Sequence, residues 1–153
     1  MRFDITKDLD LIRDVLTNGQ IYPHLHDDYA EPIEEWQPET HPRVSYITVY
    51  DGERFLGLVI AGVHSMVQLE LHNALLPSVG WKTRLRAFKE LMDWLYSYGC
   101  RRVIGKVPAY NEYAIKFNDY AGMERIGVNK AAFMKHGKLQ DEIWFGMSLQ
   151  GDN

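Results

Sequence analysis

The chain has 153 residues, of which 46% are hydrophobic and 25% are charged. This composition is globular, and we expect a single domain spanning residues 1–153 that buries a core without disulfides or metals. The formal net charge is −4 with both signs mixed along the chain, and no run of about 18 apolar residues occurs. We therefore expect no nucleic-acid partner and no membrane partner. Acidic residues near the start argue against a secretion signal, so the cytoplasm is the expected location.

A helix and a long loop are predicted first. Apolar residues recur at helical spacing over Thr6–Leu16, where Thr6 or Asp8 can cap the start and Asn18-Gly19 can end the helix. The next segment, Tyr22–Arg43, contains four prolines among acidic residues, which excludes a long helix or a central strand. We therefore expect a loop there, with room for one short helix.

Three strands and a long helix are predicted next. Two β-rich runs are separated by Asp51-Gly52, whose tolerance of positive φ suits a tight hairpin. A third run leads into a helix with one apolar face, and Gly99 is the natural end of that helix. The predicted strands are Val44–Tyr50, Arg54–Ile60 and Val67–Leu76, and the predicted helix is Trp81–Tyr98.

The second half predicts a strand, a short helix and a closing hairpin that turns at His136-Gly137. The elements are a strand at Val103–Val107, a helix from near Asn111 to Gly122, and strands near Arg125–Asn129 and Glu142–Leu149. Strand pairs followed by alternating strands and helices indicate an α/β fold, with a mixed sheet and helices packed on its faces.

The junction between the third strand and the long helix is the most informative place for chemistry. A helix N-terminus offers free N–H groups and the positive end of the helix dipole to an anion. Lys82, Arg84 and Arg86 add positive charge beside it. This arrangement suits a pyrophosphate, but basic residues also occupy ordinary solvent-facing helix turns, so the residues alone leave both interpretations open.

The order of the elements and three stretches resemble one enzyme superfamily. The stretch ELHNALLPSVGWKTRLRAFKELMDWLY is similar to the central strand, coenzyme loop and helix of the GNAT N-acetyltransferases. The stretch VPAYNEYAIKFNDYAGMERIGVNKAAFMKHGKLQDEIWFGMSL is similar to their second half, and IYPHLHDDYAEP resembles the first loop of small GNAT-like proteins often encoded by bacteriophages. The resemblance implies a mixed, mostly antiparallel twisted sheet with helices on both faces. The matching positions in the second half are Asn111, Ala114, Gly122, Met123, Gly127, Gly137 and Asp141.

The resemblance also implies an activity and a set of coenzyme contacts. These enzymes transfer an acetyl group from acetyl-CoA to a primary amine, here of an unidentified small-molecule or peptide acceptor, and we expect no metal. Their loop carries small residues where backbone amides approach the pyrophosphate, but Pro77 and Lys82 occupy its outer positions here and only Gly80 fits. The ammonium of Lys82 could instead neutralise a phosphate. The implied coenzyme-binding residues are Leu75, Leu76, Val79, Gly80, Trp81, Lys82, Thr83, Asn111 and Phe117.

Acyl transfer needs a base for the amine, donors for the oxyanion and an acid for the departing thiolate. The resemblance implies Glu70 as the catalytic base, and His72 shares its face of the strand. Both side chains have an equally acceptable structural interpretation, as groups hydrogen-bonded to neighbouring strands. The implied oxyanion donor is a backbone N–H near Leu75 or Leu76. Asn118 stands where many of these enzymes have a Tyr that acts as the acid.

A cluster of His24, His26, Asp27 and Asp28 lies in the proline-bounded loop. Such residues can ligate a divalent cation when they converge, but loop hydrogen bonds or substrate contacts are the more frequent roles. We expect no metal site, and we expect His26 and Asp28 to bind the substrate.

Two other functions compete with acetyl transfer. A GNAT-fold binding or assembly protein, for example a phage accessory factor, would account for the departures at Pro77, Lys82 and Asn118. A metal-dependent hydrolase built on the His-Asp loop is a remote third interpretation. Edge strands of this fold can pair between subunits, so a homodimer is the oligomer we would test.

Overall fold

The computed structural model describes residues 1–150, in which seven strands and four helices occur. The elements are β1 (Arg2–Thr6), α1 (Leu9–Leu16), α2 (Tyr22–Leu25), β2 (Val44–Asp51), β3 (Arg54–Ser65), β4 (Gln68–Leu75), α3 (Trp81–Ser97), β5 (Arg102–Pro108), α4 (Glu112–Tyr120), β6 (Glu124–Lys135) and β7 (Lys138–Ser148). The strands form one sheet in the spatial order β1-β2-β3-β4-β5-β7-β6. Only β4 and β5 run parallel, so the expected mixed, mostly antiparallel sheet is confirmed.

Local signals determine three of the predicted element boundaries. The side chain of Asp8 caps α1 by accepting the N–H of Leu11 at 3.1 Å. Gly99 follows α3 with φ 94°, and His136 and Gly137 form the last hairpin turn with φ 52° and 70°. These predicted boundaries agree with the structure because each depends on a residue's own backbone preference.

One strand, β1, is absent from the sequence prediction, and three others are several residues longer than predicted. β1 is an edge strand that pairs with β2 in antiparallel register, with Ile5 opposite Ile47. Its five residues carry no strong β-forming run, so the strand depends on its neighbour. β3 and β6 extend beyond their predicted ends, to Ser65 and Lys135, and β7 begins at Lys138, before its predicted start at Glu142.

The sheet opens between its two parallel strands. The β4–β5 ladder consists of three residue pairs, from Gln68–Arg102 to Glu70–Ile104. Beyond this point β4 stays paired with β3 as far as Leu75, while β5 stays paired with β7 as far as Pro108. The two strands therefore separate in the middle of the sheet.

Each face of the sheet has its own hydrophobic cluster. Leu91 and Leu95 of α3 pack against Val103 and Phe145 on one face, and α4 contributes Phe117 to the cavity beside them. Ile12 and Leu16 of α1 pack on the other face, together with Tyr46, Leu58 and Ala74. Helices therefore cover both faces. Within residues 1–150, no helix is both long enough and apolar enough to span a membrane.

Candidate functional site

The opening between β4 and β5 forms a cavity of about 590 Å³. Its wall includes Leu71, His72 and Asn73 of β4 and Gly105 and Lys106 of β5. Residues of α3 and α4 close one end, and residues of the α1–α2 segment close the other. The cavity therefore crosses the sheet and can be reached by ligands that approach either face.

Backbone N–H groups of β4 face this cavity. The N–H of Leu76 donates to Leu56 O of β3 at 2.8 Å, so the alternation of the strand turns the N–H groups of Asn73 and Leu75 toward β5. The predicted donor Leu76 is thus already used inside the sheet. The N–H of Leu75 donates to the side-chain oxygen of Asn73 at 2.9 Å. An oxyanion donor at Leu75 therefore requires that the Asn73 side chain rotate away.

The start of α3 has the features of an anion site. Gly80 is the N-cap, and no side chain caps the first turn of the helix. A Cβ added to Gly80 would meet nothing within 4 Å, and its φ of −72° is accessible to any residue. The fold therefore does not require a glycine here, while an approaching anion would benefit from the open backbone.

The charged residues at this helix start have different surroundings. Lys82 is exposed to solvent, whereas the guanidinium of Arg84 donates to Val79 O and Leu76 O, both at 2.8 Å. Val79 is itself buried. Arg84 therefore shapes the loop, and Lys82 and the backbone N–H groups of Trp81, Lys82 and Thr83 are the groups available to a phosphate.

Trp81 lies in an aromatic cluster that joins α3 to α4. Its ring is 5.4 Å from the rings of Tyr113 and Phe117 and 5.9 Å from that of Tyr120. Phe117 and Asn111 also line the large cavity, and the Asn111 side chain caps α4 by accepting the N–H of Ala114 at 3.1 Å. Trp81 therefore contacts Phe117 beside the cavity, whereas Trp81, Lys82 and Thr83 do not themselves line the cavity.

The two predicted catalytic residues on β4 are in direct contact. His72 Nε2 lies 3.0 Å from Glu70 Oε1, and Lys106 Nζ of β5 lies 3.0 Å from Glu70 Oε2. His64 Nδ1 is 3.9 Å from the same carboxylate. The hydrogen bond from His72, followed by that from Lys106, lowers the pKa of Glu70 to about 2. Glu70 is therefore a persistent carboxylate and a weak base.

A second cavity of about 400 Å³ adjoins the first on the α1 side of the sheet. Glu70 and His72 line it, together with His26 and Trp36 of the long loop. His72 and Leu25 border both cavities. The imidazole of His72 thus lies at the boundary between the two.

The proline-bounded loop is attached to the β6–β7 hairpin. Lys135 is only 8% exposed, and its ammonium donates to Pro23 O at 2.7 Å and to His26 O at 2.8 Å. The carboxylate of Asp28 accepts the N–H groups of His136 and Gly137 at 2.9 and 2.8 Å. The Gly137 bond is the main cause of the lowered pKa of Asp28.

These contacts separate the two residues predicted to bind the substrate. Asp28 uses its carboxylate to fix the hairpin turn, and it lines neither of the two cavities. His26 does line the second cavity, and its Nε2 is buried without a hydrogen-bond partner. Among residues 1–150, no group of three or more His, Cys, Asp or Glu side chains is arranged to hold a metal ion.

The position of the expected acid is also clear. The side-chain amide of Asn118 donates to Ala114 O at 2.9 Å within α4. The helical spacing directs Tyr113 away from Asn118. Both residues nevertheless line the large cavity, and Tyr113 is 54% exposed. Tyr113 is thus the phenol of α4 that faces the opening.

Sequence reasoning missed three residues that shape the site: Asn73, Lys106 and Lys135. A lysine inside the apolar run Val103–Val107 is a usable signal, because a buried charge needs a partner. Its partner Glu70 lies on a different strand, which the sequence does not reveal. Asn73 and Lys135 carry no comparable local signal.

Comparison with known proteins adds to this geometry. No protein-family model matches the sequence, and no curated protein matches it. Among solved structures, spermidine N-acetyltransferase from Vibrio cholerae, in complex with CoA and spermine, has a TM-score of 0.77 at 17% identity, over 97% of this chain and 95% of that one. An N-acetyltransferase from Staphylococcus aureus Mu50 has a TM-score of 0.73 at 15% identity, over 97% and 98%.

A third solved structure is the ribosomal-protein-S18-alanine N-acetyltransferase from Escherichia coli. Its TM-score is 0.69 at 14% identity, over 99% of this chain and 96% of that one. The three similarities extend over nearly the full length of every chain, although the sequence identities are only 14–17%. This chain therefore has the fold of the GNAT N-acetyltransferases.

Proposed function

We propose that this chain is an acetyl-CoA-dependent N-acetyltransferase that transfers the acetyl group directly to a primary amine. The observation that carries the proposal is the meeting of two cavities at His72. An acetyl donor in the large cavity and an amine in the second cavity would meet beside this imidazole. The solved neighbour that contains both CoA and spermine supports a site for two substrates.

The donor is assigned to the α3–α4 end of the large cavity. The uncapped first turn of α3 and the open backbone at Gly80 suit the pyrophosphate of acetyl-CoA, and Lys82 adds a positive charge. The N–H groups of Asn73 and Leu75 face the gap between the strands, where the amides and thioester carbonyl of the donor would lie. Asn111 and Phe117 line the same end.

His72 is assigned as the group that takes the proton of the amine. When its Nε2–H donates to Glu70, its Nδ1 is left as a free acceptor. The low pKa of Glu70 makes this carboxylate a positioning group for His72 rather than the base. In the transfer, a C–N bond forms and the C–S bond breaks. The amine proton goes to His72, and the departing thiolate takes a proton from solvent.

The test is calorimetric titration of acetyl-CoA into the protein, combined with coenzyme A release over a panel of primary amines. Gly80→Glu adds a carboxylate at the proposed anion site without backbone strain, so we expect it to weaken binding at least about tenfold. Gly127→Glu is the matched control, because Gly127 lies on the edge strand β6 and also has open space around it. His72→Asn should lower kcat at least about a hundredfold while acetyl-CoA still binds. Absence of acetyl-CoA binding would contradict the proposal.

A coenzyme-independent binding or assembly protein is the second candidate function. Two observations favour it: Asn118 replaces the expected acid and bonds within its own helix, and the Trp81 cluster packs α3 against α4. On this reading the protein forms a stable complex that does not depend on coenzyme or on Glu70. A pull-down with the Glu70→Ala variant, with and without coenzyme A, separates the two functions.

A further inference from the structure

One part of the wall of the second cavity is apolar, and the rest is lined by polar residues that include Gln37, Glu39 and His64. Leu16 and Tyr46 are buried in the hydrophobic cluster on the α1 face, and Trp36, Val44 and Ile60 pack against that cluster. The hydroxyl of Tyr46 donates to Glu39 O at 2.9 Å, so its polar end is already bonded. A ligand that lies along the apolar part of the wall would contact hydrocarbon and aromatic surface.

An aromatic group of the long loop forms one side of this wall. The ring of His26 lies 4.1 Å from that of Tyr22 and 5.6 Å from that of Trp36. Burial lowers the pKa of His26, with the positive charge of Lys135 as a further cause. The imidazole is therefore neutral at physiological pH and adds no charge to the wall.

Two carboxylates line the cavity, and neither suits a second ammonium group. Glu70 lies at the inner end and is already paired with Lys106 and His72. Glu39 is an exposed residue of the loop. An ion pair with its carboxylate would contribute little binding free energy, because water competes for both charges. A second cation held against Val44 and Ile60 would lose its hydration there without gaining a buried partner.

We infer that the acceptor is a primary amine carried on an uncharged, apolar body, with the amine at His72 and the body along the Trp36–Ile60 wall. This inference rests on the proposed acetyl transfer. It distinguishes the chain from its polyamine-acetylating structural neighbour, whose named substrate, spermidine, carries several charges. The apolar body would exclude water from the wall and so favour binding.

The experiment compares n-hexylamine with cadaverine as acceptors for acetyl-CoA. The two amines have the same number of non-hydrogen atoms, and cadaverine has an ammonium group where hexylamine has its terminal methyl group. We expect kcat/KM to be at least about tenfold higher for hexylamine. A preference for cadaverine in the unmodified protein would overturn the inference.

Variants of the cavity wall test whether this wall causes the preference for hexylamine over cadaverine. Val63 lines the cavity and is 38% exposed, so Val63→Asp should be tolerated and should shift the preference toward cadaverine. Met66→Asp is the matched control, because Met66 is 96% exposed just beyond the end of β3, outside the cavity wall. Glu39→Gln should leave the preference unchanged. An equal shift in the Val63 and Met66 variants would refute a selective wall.

The outcomes also separate this inference from the proposed function. Binding of acetyl-CoA without acetylation of either amine overturns the acceptor assignment and leaves donor binding in place. Without acetyl-CoA binding, the proposed function fails, and direct calorimetry of hexylamine decides the cavity's preference. If hexylamine binds, and Val63→Asp weakens this binding while Met66→Asp does not, the apolar site is supported. If hexylamine does not bind in this way, the apolar site is overturned.

Discussion

Gly57 provides a sharp test of how the sheet supports the site, because it holds the end of β4 against β3. Its φ is 125°, a region that L side chains rarely adopt. A Cβ at this position would lie 2.6 Å from Ala74 O and 2.7 Å from Leu75 Cα, which are backbone atoms that cannot rotate away. Gly57→Ala must therefore strain one strand or move the other.

The expected loss follows from these two terms. Backbone strain at an unfavourable φ contributes about 1–3 kcal/mol, and forced overpacking contributes about 1–3 kcal/mol. We therefore expect Gly57→Ala to lower the free energy of unfolding by about 2–6 kcal/mol. Urea denaturation followed by circular dichroism measures this as a lower midpoint with an unchanged slope.

Gly62→Ala is the matched control on the same strand. A Cβ there would lie 3.9 Å from its nearest atom, Glu70 O, and its φ is not in the left-handed region. This variant should change the free energy of unfolding by less than about 1 kcal/mol. Equal stabilities for the two alanine variants would refute the close-approach argument. A Cβ at position 57 would press on the backbone of Leu75 and Leu76, at the end of β4 beside the proposed donor site. A folded Gly57→Ala protein should therefore also bind acetyl-CoA more weakly.

Three further predictions concern the loop, the ion pair and the donor site. Lys135→Met removes two charge-assisted hydrogen bonds and should lower the free energy of unfolding by about 2–4 kcal/mol, as measured by urea denaturation. The control variant Lys138→Met replaces an exposed lysine and should have little effect. The pKa of Glu70 is lowered from 4.5 to about 2, so its ionisation stabilises the fold at neutral pH, on the order of 3 kcal/mol. This contribution to stability is lost as the pH falls from about 4.5 to 2. The difference in free energy of unfolding between the unmodified protein and Glu70→Gln should therefore shrink over this range, and a constant difference would contradict the lowered pKa of Glu70. Asn73→Ala frees the N–H of Leu75 and should tighten acetyl-CoA binding several-fold in calorimetry, roughly the worth of one hydrogen bond; weaker binding would instead mean that Asn73 contacts the donor.

The sequence was sufficient for features that depend on neighbouring residues. The stop at Gly99 and the turn at His136-Gly137 follow from the backbone preferences of the residues themselves, and the cap at Asp8 is one of the two that the sequence allowed. The shared face of Glu70 and His72 follows from the two-residue period of a strand. Their separation in sequence therefore predicted a shared face, on which the structure shows the two side chains in contact.

The tertiary structure decided the features that join distant segments. Lys106 meets Glu70 only because β5 lies beside β4, and Asp28 caps a turn whose amides are 108 and 109 residues away. β1 is a strand because β2 offers it an edge with unpaired N–H and C=O groups. The pKa of Glu70 and the role of Asp28 depend on these long-range neighbours, whose identities no local pattern contains. Residue preferences therefore determined the helix ends and the hairpin turn, whereas strand pairing determined that β1 is a strand and which charges meet.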